Sequence, residues 1–161
     1  MSVEVTMVQT VIANWKLVVG RADKLFAGLS DTELEQEVAP GRNRLIYLLG
    51  HLTGAHDRML ALLRLGERLH PELDEPFGKL PDRAAAEIPS GETLKAAWLQ
   101  VNATLLAGVE KLTPAEWIER HADVSEEDFV KEPGRNRLAV FLSRTSHLSF
   151  HVGQIILTRK K

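Results

Sequence analysis

The six residues PGRNRL occur twice, at positions 40–45 and 133–138, 93 residues apart. Each copy stands immediately before a run of apolar residues at three- and four-residue steps, so each copy introduces a helix. The match continues on both sides. At a shift of 83, Ala13 and Trp15 align with Ala96 and Trp98, Leu29 and Glu33 with Leu112 and Glu116, and Ala39 with Ala122. Ten extra residues, 123–132, then move the shift to 93. The pattern is that of a duplicated helical hairpin.

Four segments carry the helical period. Residues 5–29 place Val8, Ile12, Trp15, Val19, Ala22 and Phe26 on one stripe. Residues 44–65 do so with Leu45, Leu49, Leu52, Met59 and Leu63, residues 92–112 with Leu94, Trp98, Val101, Leu105 and Val109, and residues 137–158 with Leu138, Phe141, Val152 and Ile156. Sustained alternation, the mark of strands, is absent. The expectation is an all-α chain, a single domain over residues 1–161, with Trp15 and Trp98 in its core. The second and third segments are separated by about 25 residues holding Pro71, Pro76, Pro81 and Pro89, enough to run the length of a bundle as a crossover.

Within each hexapeptide, proline and glycine make a turn. Asn43 and Asn136 are then expected to cap the next helix, which Arg44 and Arg137 open. An arginine of the repeat at a helix N-terminus is also placed to meet an anion. Downstream of the hexapeptide the two copies diverge, and that is where the histidines lie.

Of six histidines, His70 and His121 fall in linkers and receive no role. His147 and His151 are four residues apart, one turn on one helix face, the spacing at which two imidazoles reach a single ion. Both lie roughly 130° from the centre of the aliphatic stripe of their helix, and His51 lies roughly 120° from that of its own. His56 instead sits within its stripe and reads as a core residue. With a rise of about 1.5 Å per residue, His51 is roughly 10 Å from the start of its helix, and His151 and His147 are roughly 10 and 16 Å from the end of theirs. Antiparallel packing of these two helices brings all three level. Convergence of three histidines on one off-core face is what a divalent metal site requires.

Four helices, a histidine in LLGHLTGAHDRM and the ending HLSFHVGQ together resemble the DinB/YfiT-like superfamily of metalloenzymes, over nearly the whole chain. That superfamily is unrelated to the DNA polymerase sharing the DinB name. The resemblance implies an up-down-down-up four-helix bundle with a long crossover between helices two and three. It implies zinc, nickel or a similar divalent ion on His51, His147 and His151. It also implies reactions, in members where they are known, that use a low-molecular-weight thiol such as bacillithiol or mycothiol. Homodimers are common in the superfamily, and helix four is apolar around most of its circumference, with Arg144 its only charged side chain between Leu138 and Leu157.

Three neutral imidazoles leave an open position at which a thiol or water is activated. Tyr47, one turn before His51, is a candidate donor behind the ligands. Arg144 and Gln154 flank the helix-four pair, placed to orient a ligand or an anionic group. No glutamate follows His147, so the zinc-protease pattern H-E-x-x-H is missing. Three readings share this pocket: an enzyme activating a thiol, a metal-dependent hydrolase, and a non-catalytic bundle that holds a metal or a small molecule.

The remaining composition narrows the field. Twenty basic and 22 acidic side chains leave a formal charge of −2, giving no footprint for nucleic acid. Cysteine is absent, which removes disulfides, thiolate ligands, iron–sulfur clusters and a cysteine nucleophile. Residues near the N-terminus, Glu4 among them, do not form a signal peptide, and no apolar run is long enough to span a membrane, so the expected location is the cytoplasm. The expected partner is a small-molecule substrate.

Overall fold

The computed structural model describes residues 2–159. Among them there is no strand, only helices and two isolated bridge pairs. Four long helices dominate: α1 (Val3–Ala27), α3 (Leu45–Leu62), α4 (Gly91–Val109) and α7 (Arg137–Thr158). Three short ones, α2 (Asp31–Leu34), α5 (Pro114–Trp117) and α6 (Glu126–Lys131), punctuate the hairpin connections. α2 and α5 occupy corresponding places in the two halves. Each opens with a reciprocal capping box, Ser30 with Glu33 and Thr113 with Glu116. α6 lies within the ten residues that the second half adds.

The long helices form a closed ring of contacts: α1 packs on α4 and α7, and α3 packs on the same two. Their apolar stripes meet in one core that includes the fully buried Trp15, Trp98, Trp117, Phe26 and Phe141. Contacts along the helices fix which ends adjoin. Phe26 meets Trp98 while Lys16 pairs with Glu110, so the end of α1 lies beside the start of α4. Trp15 stacks on Phe141, and Arg159 reaches Glu33 just past the end of α1. Leu48 shares a cleft with His151 and Gln154, whereas Leu62 shares one with Val140 and Arg144.

Residues 68–82 of the long connection are pinned to one face of α3 in reverse order. Asp57 of α3, fully buried, accepts hydrogen bonds from the Leu69 amide (2.7 Å) and Arg68 Nε (2.9 Å). One turn earlier Gly54 faces Leu73, and one turn before that Gly50 faces Phe77. Tyr47 Oη donates to the Leu80 carbonyl at 2.9 Å, and Arg44 binds Asp82 through its backbone amide and its guanidinium. The steps of three and four residues follow the helix period, so this connection covers one stripe of α3. That explains why the middle of α3 is buried nearly all round.

The two hexapeptides do not cap alike. In the second, Asn136 is the N-cap, its side chain accepting from the Ala139 amide at 2.9 Å, and Arg137 opens α7. In the first, the helix starts one residue later. Arg44 is the N-cap, without a side-chain cap, and Asn43 lies outside the helix. The cause is long-range. Asp82 takes the Arg44 amide and guanidinium, and Arg44 also forms the bridge pair with Glu37, while in the second copy the corresponding bridge falls on Asn136 with Arg120. Asn136→Ala should therefore cost about 0.5–2 kcal/mol in denaturant melts, and Asn43→Ala nearly nothing. Equal losses at the two sites would contradict this assignment.

α3 and α4 also end about three residues before the periodicity predicts. At the end of α3 the cause is Arg64, whose positive φ of 54° stops the helix.

Candidate metal centre

His51 stands two turns into α3, and His147 and His151 stand one turn apart in the second half of α7. Because the start of α3 lies beside the end of α7, the three imidazoles meet. His147 Nε2 is 3.1 Å from His51 Nε2 and 3.1 Å from His151 Nε2. One ligand atom from each ring falls in a set within 4.8 Å. All three rings are half-buried.

The outer ring nitrogens decide which atoms are free. His51 Nδ1 donates to the Phe77 carbonyl at 3.0 Å, so its Nε2 is bare. His151 Nδ1 donates to Gln154 Oε1 at 2.8 Å, with the same result. His147 Nδ1 is buried without a partner. Burial holds His51 and His151 below the ordinary imidazole value. It pushes His147 down to about 4, helped by the nearby His151, His51, Arg144 and Arg58. The set is therefore neutral near pH 7, with the bare Nε2 atoms of His51 and His151 both facing His147 Nε2.

That arrangement fits a divalent ion. Two nitrogens bound at about 2.0–2.1 Å to one tetrahedral ion stand about 3.3 Å apart, close to the separations observed. Bare nitrogens this close repel unless a cation or a shared proton lies between them. A carbonyl or amide oxygen behind a ligand histidine is also the usual outer support of such sites.

The profile of the DinB superfamily matches residues 15–155. The chain belongs to the DinB superfamily. Comparison with curated proteins gives no match. The matched span holds all three histidines of this DinB-superfamily chain and the whole connection that supports His51. Among its described residues, no helix is long and apolar enough to cross a membrane.

The other candidates take distinct places. Gln154 touches the centre through His151, as a residue that fixes its tautomer. Tyr47 stacks parallel on His51, centroids 6.3 Å apart, but its hydroxyl is spent on Leu80, so it buttresses the ring and does not donate to it. Arg144 lies one turn before His147 and makes no ion pair among the described residues. His56 is in the core as its stripe required: fully buried between Trp15 and Trp98, with Nδ1 donating to Asn102 Oδ1 at 2.8 Å. His70 binds Glu72 and Gln100 on the surface.

Phe77 and Gly50 carry no signal in the sequence that marks them as part of the site. A Cβ on Gly50 would lie 2.6 Å from three atoms of the Phe77 ring, which is fully buried and cannot swing away. Gly50→Ala should displace Phe77, move the carbonyl that orients His51, and weaken metal affinity about 10–100-fold. At Gly54 the added Cβ meets Leu73 at an ordinary 3.5 Å, so Gly54→Ala should leave affinity unchanged. Competition with a chromogenic chelator checks both. Equal affinities for wild type and Gly50→Ala would separate Phe77 from the metal site.

Proposed function

We propose that this chain is a metal-dependent enzyme whose three-histidine centre activates a thiol or water, with a low-molecular-weight thiol as the preferred co-substrate and zinc or nickel as the ion. The convergence of three Nε2 atoms, two with their outer nitrogens anchored, carries the reading. A divalent ion held there supplies Lewis acidity, making a thiol or water at its open position more acidic. His51, His147 and His151 hold it, and Phe77 and Gln154 keep two of the rings in the donor tautomer. The charges acting on His147 from outside the triad, Arg144 and Arg58, are both positive. They favour the anionic form of an incoming thiol.

The helix pairings support an up-down-down-up bundle, with residues 63–90 as its crossover. A homodimer through α7 is part of the same proposal, supported by the exposed Leu142, Phe150, Ile156 and Leu157. Sedimentation showing only monomer at micromolar concentration would remove it.

The catalytic test is rate against pH for a small thiol reacting with monochlorobimane, using bacillithiol, mycothiol and glutathione in turn. Metal-loaded protein should accelerate the reaction below the free thiol's pKa. Apo protein and His51→Ala should not. Identical behaviour of loaded and apo protein, here and in ester and amide hydrolysis, would favour a non-catalytic bundle. A rate that needs metal but no thiol would mark a hydrolase.

A further inference from the structure

Two arginines stand on the same side of the histidine triad. Arg58 follows His51 by seven residues, two turns along the same face of α3, and Arg144 precedes His147 by three, one turn along α7. The end of α3 adjoins the start of α7, where Leu62, Val140 and Arg144 line one cavity of about 360 Å³, and the antiparallel pairing of the two helices sets Arg58 level with Arg144. Each is near enough for its charge to oppose protonation of His51 and His147, and Arg58 does the same to Arg144.

Neither arginine has a carboxylate to itself among the described residues. Arg144 Nε is buried without a hydrogen-bond partner, and the side chain makes no ion pair among the described residues. An arginine that merely snorkels from a helix keeps its guanidinium in water. This one does not. Arg58 uses only Nε, toward the Gly54 carbonyl at 3.4 Å and Asp74 at 3.5 Å, and both Asp74 oxygens are already held by Arg68. Its Nη2 lies against Gly78, beside the Phe77 that supports His51. The same cavity adds Arg135 and His121 against a single carboxylate, Asp123. Two like charges brought together over a buried, unsatisfied donor cost stability, and an anion between them relieves both penalties.

We infer that Arg144 and Arg58 bind an anionic group, a carboxylate or phosphate, on the substrate handled by the three-histidine centre. The inference rests on the reading of that centre as a thiol-binding metal site. The substrate class is a small acid, held at one end by the paired guanidiniums and presented at the other to the centre. Forked recognition of this kind is specific to oxyanions.

The test uses Co(II)-loaded full-length protein, whose visible spectrum reads thiol binding. A series of ω-mercaptoalkanoates of one to five methylenes is compared with the neutral ω-mercaptoalcohols of equal length. At one or more lengths the acid should bind at least about tenfold more tightly, the worth of one charge-assisted hydrogen bond. Arg144→Gln and Arg58→Gln should each erode that preference while keeping metal content, because any loss of thiolate affinity falls equally on acids and alcohols and only the acids lose more, and Arg144→Lys should keep part of it. Acids and alcohols binding alike at every length, or a preference surviving both glutamine variants, would overturn the anion site and leave the thiol reading intact. A second arm separates the two ideas. Succinate and inorganic phosphate are titrated calorimetrically into loaded protein and into Arg144→Gln. If no thiol changes the spectrum, the thiol reading fails, and loss of oxyanion binding in Arg144→Gln alone sustains the anion site. Binding indifferent to that variant overturns it. Which of the two anions binds assigns carboxylate or phosphate.

Discussion

Replacing His147 with alanine should give a folded protein that no longer holds a stoichiometric divalent ion. His147 Nε2 is the shared vertex of the triad, 3.1 Å from each of the other two donors, so its loss leaves two imidazoles with nothing to bridge them. The side chain is half-buried and its Nδ1 bonds to nothing, so the fold loses little with it. Metal analysis of protein purified without chelators or a histidine tag should fall from one ion per chain to a small fraction. Circular dichroism should be unchanged. Retention of one tightly bound ion by His147→Ala would remove it from the ligand set.

His56→Ala should do the reverse. This imidazole fills core space between two tryptophans, with centroids 4.7 Å from Trp15 and 4.9 Å from Trp98, and it satisfies Asn102. Emptying that space should cost about 2–5 kcal/mol, the range for large core side chains. The ion should stay at one per chain wherever the variant is folded. Loss of the ion from His56→Ala together with its retention in His51→Ala would overturn the ligand assignment. Acid adds a second signature. Burial holds His56 down to about 3, against an ordinary value of 6.5 in the unfolded chain. The unfolded chain therefore takes up a proton below 6.5 that the native state refuses. The stabilisation is complete above about 6.5 and is lost as pH falls from there toward 3, by up to about 1.4 kcal/mol per pH unit. Urea melts at pH 7 and pH 5 should show this slope in wild type and a shallower one in His56→Leu.

The helices and the three-histidine cluster were legible because each signal is local. Trp15, Phe26 and Trp98 lie on stripes that any 3.6-residue period reveals, and the angle between a histidine and its stripe already separates His56 from the other three. The features that stayed hidden depend on the long connection. Its prolines predict a linker but nothing in them says that Phe77 and Leu73 face glycines of α3, or that Asp82 reaches Arg44 across 38 positions. Asn43 and Asn136 show the limit sharply. Identical hexapeptides give different caps because a carboxylate from elsewhere in the chain competes for the first. Arg144 was visible as the lone charge between Leu138 and Leu157, while Arg58 was not, since its partner Asp74 is occupied by an arginine that only the folded connection brings in.

His51 and His147 stand 96 positions apart in a chain that has no cysteine. An ion joining them would do for this protein what a disulfide does for a secreted one: it would tie the first hairpin to the last helix and shrink the unfolded ensemble. Closing a loop of about 100 residues is worth about 4.7 kcal/mol by chain entropy when the link is covalent. A coordinate link gives this only while metal is in supply. The fold would thus carry a reversible staple, set by the metal level around it, where a disulfide would be set by redox state.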